Sequence, residues 1–346
     1  MSTPGRIVNG SGTSETAQRI IALAYSFREA KALLSAVELG VFDTLADGAL
    51  ALEPLRQRIG LHPRGTRDFL DALVALGLLD RDTQGRYSNT IASIEHLVRG
   101  KPGYVGGLLQ HLNDREFPYW ARLTEALRSG RAQFGGAGGH YPDLYSDPAD
   151  AESFAAAMSG GSLLTAQSLA GHFRWQNYKT LIDIGSAEGC LPVTIALAHP
   201  HITGGGFDLP AVGAAFERYV AKNKLSDRLR FYPGDFLRDP LPQAEVLVMG
   251  RVLHNWDQET KGLLLSKAHA ALPPGGALIV YERLIDDERR TNTTGLLSSL
   301  NMLIMTDGGF DFSGADCVSW LQEAGFRDMR VERLTYEQSM VVGFKR

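Results

Sequence analysis

The sequence predicts a two-part α/β protein: a doubly wound, mostly parallel sheet that ends in an antiparallel strand, preceded by a mostly helical domain of winged-helix outline. Three observations lead there. From Thr180 onward, short β-branched and aliphatic runs alternate with helical stretches, which is the pattern of parallel strands joined by right-handed crossovers. The last two runs, Met329–Leu334 and Met340–Phe344, have no helix between them and must pair antiparallel, because a parallel pair needs a long crossover. Residues 1–103 read as three helices and a hairpin, and residues 104–346 carry the sheet, with 104–178 as linking helices.

Taken in order, Thr16 to Gly40 places Ala17, Ile20, Ala24, Phe27, Leu34 and Val37 on one helical stripe that needs a partner surface. Two helices follow, over Leu50–Ile59 and Pro63–Leu78. Leu79–Asp82 and Gly85–Ser88 then make a hairpin. This outline raises the possibility of a DNA-binding regulator. The charge pattern opposes it, since Arg64 and Arg67 are offset by Asp68 and Asp71 where a recognition helix needs a positive face. Residues 103–178 are helical and rich in large side chains, including Tyr119 and Trp120.

The strand runs are expected at Thr180–Ile184, Gly204–Phe207, Leu229–Tyr232, Glu245–Met249 and Ala277–Tyr281, ahead of the final pair. The first empties into Gly185-Ser186-Ala187-Glu188-Gly189, a tight turn ahead of a helix, where missing Cβ atoms let backbone approach a ligand. The second ends at Asp208, an acid placed to accept two hydrogen bonds from ribose hydroxyls. The third leads to Asp235 and Phe236, suited to an adenine amino group and ring face. A dinucleotide fingerprint would require G-x-G-x-x-G. Glu188 in this turn would instead repel phosphate and tolerate a positive sulfonium and amino group.

Composition sets outer bounds. The chain has 346 residues, 44% of them apolar, and a net charge of −4, enough for two cores and not the balance of a nucleic-acid binder. The first residues, MSTPGRIVNGSGTSE, show no apolar leader, and no run is long enough for a membrane span, so a cytoplasmic protein is expected. Cys190 and Cys317 are too few for a disulfide framework or thiolate metal site. The acidic run Asp286-Asp287-Glu288 reads as a solvated loop, and no metal is expected.

With these residues the chain resembles the class I S-adenosylmethionine-dependent methyltransferases, specifically the small-molecule O-methyltransferases related to plant caffeate, bacterial polyketide and acetylserotonin enzymes. The resemblance covers all but about the first fifteen residues, through AVELGVFDTLA, LVALGLLDRDTQGRYSNT, the glycine turn and LHNWD. It implies a Rossmann-like sheet, a winged-helix-like dimerisation domain giving a homodimer, and S-adenosylmethionine as cofactor with S-adenosylhomocysteine as product. The cofactor set becomes Asp183, Gly185, Gly189, Asp208, Leu209, Asp235, Phe236 and Arg251. His254, in a motif like the family's L-H-D-W, sits where the strand order reverses and is implied to be the general base. Asn255 stands where the family commonly has Asp. Glu282 occupies the family position for an orienting acid, while Asp311 replaces a family Glu and is shorter by a methylene. Phe154, Met158, Asn301, Met302 and Met305 fall at substrate positions, implying a flat or aromatic acceptor. The implied reaction is O-methylation; N- or C-methylation, or a methyltransferase fold reused for other natural-product chemistry, are the alternatives.

Overall fold

The structure, a computed structural model, describes residues 11–101, 103–134 and 161–346. The chain divides into two compact units, Met1–Asn113 and Asp114–Arg346.

In the first unit, α1 (Ser11–Tyr25) and α2 (Phe27–Glu38) replace the single long helix expected from the stripe. The break is at Ser26, whose hydroxyl donates to the Leu23 carbonyl at 2.8 Å and so competes locally with the helical ladder. After α3 (Val41–Thr44) come β1 (Leu50–Ala51), α4 (Leu52–Arg58) and α5 (Pro63–Ala75). The wing is formed by β2 (Leu79–Arg81) and β3 (Arg86–Asn89), with β1 added as a third strand in the order β1-β3-β2. The expected helix from Leu50 thus starts two residues late, since Leu50 pairs with Tyr87. Phe42, Leu55, Leu70, Leu73 and Leu79 are fully buried in this unit's core. Asp71 on α5 accepts from Arg81 at 2.5 Å and from the Tyr87 hydroxyl at 2.7 Å, so the charge of this arginine is met within the unit. Next come α6 (Ile91–Leu97) and α7 (Gly106–His111).

A π-helical turn over Leu112–Glu116 runs across the boundary, and the second unit continues with α8 (Phe117–Trp120), α9 (Leu123–Ser129) and α10, which covers residues 161–172. The sheet is built from β4 (Thr180–Ile184), β5 (Thr203–Asp208), β6 (Leu229–Pro233), β7 (Val246–Gly250), β8 (Ala277–Glu282), β9 (Arg327–Arg333) and β10 (Ser339–Phe344). Its order is β6-β5-β4-β7-β8-β10-β9, with the first five strands parallel and β10 antiparallel to both its neighbours. The connecting helices are α11 (Cys190–Ala198), α12 (Gly213–Lys222), α13 (Gln258–Ala271), α14 (Thr293–Met305) and α15 (Gly314–Glu323).

Alternate residues of each central strand enter different cores. Ile182, Leu247, Met249, Leu278 and Val280 pack with Leu264, Leu265 and Leu321 of α13 and α15. Leu181, Val246, Val248 and Ile279 pack with Leu169, Leu191 and Ile195 of α10 and α11 and with Trp175. Cover on both faces is why these strands read as unbroken apolar runs. Burying each such aliphatic side chain contributes about 1.5–3 kcal/mol, so the sheet is a rigid base for whatever projects from its carboxyl ends.

Candidate active site

The strand order reverses between β4 and β7, and the crevice at such a switch point is where open α/β sheets bind ligands. On one side of it lies the turn after β4. Gly185, Ala187 and Gly189 all have left-handed backbone, with φ of 75°, 48° and 91°. A Cβ on Gly185 would stand 2.9 Å from the Val252 side chain, and one on Gly189 would stand 2.6 Å from the Phe216 ring, so the turn closes only with glycine at both places. Asp208, at the end of β5, accepts from the Ala187 and Leu209 amides at 2.8 and 2.7 Å. The acid therefore also shapes the glycine turn, while a carboxylate with about four lone-pair sites retains capacity for further donors. Burial pushes its pKa up to about 6, against the pull of those two amides. Asp183 behind it is pushed well above the carboxylate range, by burial first and then by Asp208. Asp235 and Phe236 follow β6 and are half-buried, as is Leu209. Asp235 caps its own loop by accepting from the Leu237 amide at 2.9 Å, and the Phe236 ring meets Trp256 edge-on at 5.8 Å.

On the other side, β7 is followed by Arg251, which has left-handed φ of 55°, and His254 lies in the short helical turn Leu253–Asn255. The Asn255 amide donates to the carbonyls of Arg251 and Val252 at 3.1 and 3.3 Å. An ionised Asp has no proton to donate. Asn at this position thus closes the turn that carries His254.

His254 is 4% exposed and Glu282 and Asp311 are each 1% exposed. The imidazole Nδ1 stands 3.4 Å from Asp311 Oδ1 and 3.7 Å from Glu282 Oε2. Asp311, expected to have the less certain reach, is the nearer acid. The backbone compensates for its missing methylene: the Gly308-Gly309 loop runs against the His254 turn, and a Cβ on Gly309 would come 2.6 Å from the His254 carbonyl oxygen. Glu282 additionally accepts from the His254 backbone amide at 3.3 Å through Oε1. Burial raises the Glu282 pKa, His254 opposes this, and Asp311 adds to it. His254 Nδ1, Glu282 Oε2 and both Asp311 carboxylate oxygens find no hydrogen-bond partner among the described residues. The three side chains present ligand atoms within 4.8 Å of one another, a spacing that a cation could also bridge.

Of the acceptor-side residues, Met302 and Met305 are buried on α14. The Asn301 carbonyl oxygen accepts from the Trp120 indole at 2.8 Å, so part of its polar capacity is already used. Phe154 and Met158 lie outside the described residues. Two side chains that sequence reasoning passed over sit near this cluster. Glu116, in the π-helical turn, hydrogen-bonds Asn301 and feels the charges of Arg251, Arg283 and His254, although burial still raises its pKa. Lys261, on α13, is fully buried and faces Glu282 and Asp311. A π turn is a frequent mark of a functional site, but nothing in the local sequence announces one, and lysine in an amphipathic helix ordinarily signals solvent.

Comparison with known proteins follows the same division. Residues 120–327 match the O-methyltransferase domain family, and residues 21–99 match the O-methyltransferase dimerisation domain family. The chain is 43% identical to the tetracenomycin polyketide synthesis 8-O-methyl transferase TcmO of Streptomyces glaucescens, over 99% of both chains. It is 41% identical to the N,N-dimethyltransferase OxyT of Streptomyces rimosus, over 92% of this chain and 93% of the other. Among solved structures, human N-acetylserotonin methyltransferase in complex with S-adenosylmethionine superposes with a TM-score of 0.90 at 27% identity, over 99% of each chain. Among the described residues, no helix is long and apolar enough to cross a membrane.

Proposed function

This chain belongs to the O-methyltransferase family that carries an N-terminal dimerisation domain, and on that premise we propose that it moves a methyl group from S-adenosylmethionine to a phenolic hydroxyl of a small aromatic acceptor, with His254 as general base. The observation that carries the reading is the His254 imidazole, buried at the switch point with Nδ1 turned to two buried acids. That leaves Nε2 as the nitrogen for the acceptor's proton.

The residues around the crevice fit the cofactor: a turn after β4 with glycine at both ends, an acid with spare lone pairs after β5, and Asp235 with Phe236 after β6. When bound, S-adenosylmethionine supplies an electrophilic methyl; a C–O bond forms as the C–S bond breaks, and its electron pair returns to sulfur to leave S-adenosylhomocysteine. The chain's own task is to remove the hydroxyl proton and hold the reactants in line. A phenol titrates near 10 and an imidazole near 6.5, so the proton moves to His254 uphill unless methyl transfer or a nearby anion assists. Glu282 and Asp311 supply that anion, fixing the tautomer and stabilising imidazolium as an acid does in a hydrolase triad. Such a base is worth about 10²–10⁴-fold, and positioning adds to it.

Although His254, Glu282 and Asp311 could ligate a cation, the buried Lys261 ammonium already brings positive charge to both acids, which favours proton transfer over metal catalysis. EDTA treatment followed by assay is expected to leave the rate unchanged.

The 41% identity to an N,N-dimethyltransferase supports one second reading, an amine acceptor at the same site. Purified protein assayed with S-adenosylmethionine against phenols, amines and carbon nucleophiles, with S-adenosylhomocysteine release as readout, decides between them. Turnover confined to phenols is expected; turnover confined to amines would overturn the hydroxyl assignment. We propose further that the enzyme is a homodimer joined through the N-terminal unit. The support is the matched dimerisation family and the exposed Ile20, Ile21, Leu23, Tyr25 and Phe27 on the first two helices. The small-molecule site gives no reason to invoke a nucleic-acid or membrane partner.

A further inference from the structure

Lysine is almost never fully buried unless its charge is met. Lys261 has no exposed surface. Its ammonium donates to the Trp256 carbonyl, stands 3.3 Å above the centroid of the Phe310 ring, and has Phe312 and Trp320 at 5.7 and 5.9 Å. One carbonyl and three aromatic faces hold it in place without neutralising it. The acids that face it are Glu282 from β8, Asp311 from the loop after α14, and Asp257 at the N-cap of its own helix. Glu282 is also faced by His254 and Arg251.

Burial pushes Glu282 toward its neutral form, and the Asp311 carboxylate beside it adds to that push. A neutral acid could not stabilise imidazolium. Four buried oxygen and nitrogen atoms of His254, Glu282 and Asp311 have no hydrogen-bond partner among the described residues, so hydrogen bonds there do not settle this cluster's charge.

We infer that Lys261 is the fixed counter-cation of the cluster: a positioning residue that keeps a carboxylate ionised behind His254 while the resting imidazole stays neutral and ready to accept a proton. The inference rests on the reading of His254 as general base. Phe310, Phe312 and Trp320 serve it by excluding water from the ammonium. Burial lowers the Lys261 pKa to about 8, and the three acids resist that fall, so near neutral pH the lysine is still mainly charged.

Removing a nearby positive charge makes the cluster as a whole easier to protonate, whichever of its groups takes the proton, so the active form, a neutral imidazole backed by an ionised carboxylate, would give way at higher pH. Lys261→Met is expected to move the acidic limb of the single-turnover rate profile upward by about one pH unit, with rate recovered on the alkaline side. Lys261→Arg, which keeps the charge, should leave the limb at its wild-type position. A limb unmoved in Lys261→Met, with rate lowered equally at all pH values, would make Lys261 a packing residue and overturn the inference. A second measurement does not depend on that variant folding. In protein labelled at the lysine ε-carbons, with the Lys261 signal identified by its loss in Lys261→Arg, the NMR titration should show a midpoint near 8 that falls in both Glu282→Gln and Asp311→Asn. A midpoint unchanged in both would overturn the coupling. A wild-type rate profile with no acidic limb would instead sink the reading of His254, and the lysine titration would still decide the coupling.

Discussion

Asp208 shows how one side chain can serve both fold and ligand. Its oxygens accept from Ala187 and Leu209, which holds the glycine turn against the end of β5 and leaves lone pairs over for a ligand. Its pKa is raised to about 6 by burial. A group raised in this way favours the folded state below its unfolded value and loses that contribution as pH rises through the folded one; the ionised form, present above about 6, is the better acceptor for ribose hydroxyls. Affinity for S-adenosylmethionine is therefore expected to climb between pH 5 and 7.5. In Asp208→Asn the climb should flatten and affinity at pH 7.5 should fall by about 1.5–3 kcal/mol, the worth of a charge-assisted hydrogen bond; titration calorimetry reads both. Undiminished affinity in that variant would remove Asp208 from the cofactor site. Asn255 acts at the same scale. Losing its two bonds in Asn255→Ala should lower stability by roughly 1–3 kcal/mol, seen as a lower Tm in calorimetry. At this scale the sequence was legible where a residue type is unusual for its place, such as acids at strand ends. Lys261 and Glu116 escaped because their burial is set by Phe310, Trp320 and Asn301, which are distant in sequence.

At the scale of elements, the sequence reading placed all seven strands of the large sheet to within two residues; for β4, β7, β8 and β10 cover on both faces forces the apolar runs that mark them. It failed where a local hydrogen bond or a short pairing competes with the helix, at Ser26 and at Leu50. The meeting of Asp311 with His254 was not legible either. It depends on the Gly308-Gly309 loop pressing on the His254 turn, and the length of Asp alone argued against it. Gly309→Ala is accordingly expected to push that loop away, because its Cβ would lie 2.4 Å from Thr306 Oγ1 and 2.6 Å from the His254 carbonyl oxygen. The expected result is a stability loss of about 1–3 kcal/mol in urea unfolding, with turnover falling further than cofactor affinity. Wild-type turnover in Gly309→Ala would show that the close approach does not position the acid.

For the molecule as a whole, the division into two compact units and the separate family matches give the N-terminal unit a role of its own. If that role is dimerisation, removing residues through Lys101 should leave protein that aggregates, and a monomeric, active truncation on size-exclusion chromatography would contradict it. The catalytic claim is tested most directly by one measurement: the pH dependence of single-turnover methyl transfer in wild type and His254→Ala, with a phenol that the acceptor screen has identified. Wild type should rise through an imidazole-like pKa. The variant should keep cofactor affinity, lose about 10²–10⁴-fold in rate near neutral pH, and climb only as the phenol itself ionises near 10. A variant that transfers methyl at the wild-type rate at pH 7 would mean that positioning alone drives the reaction and that His254 is a structural residue.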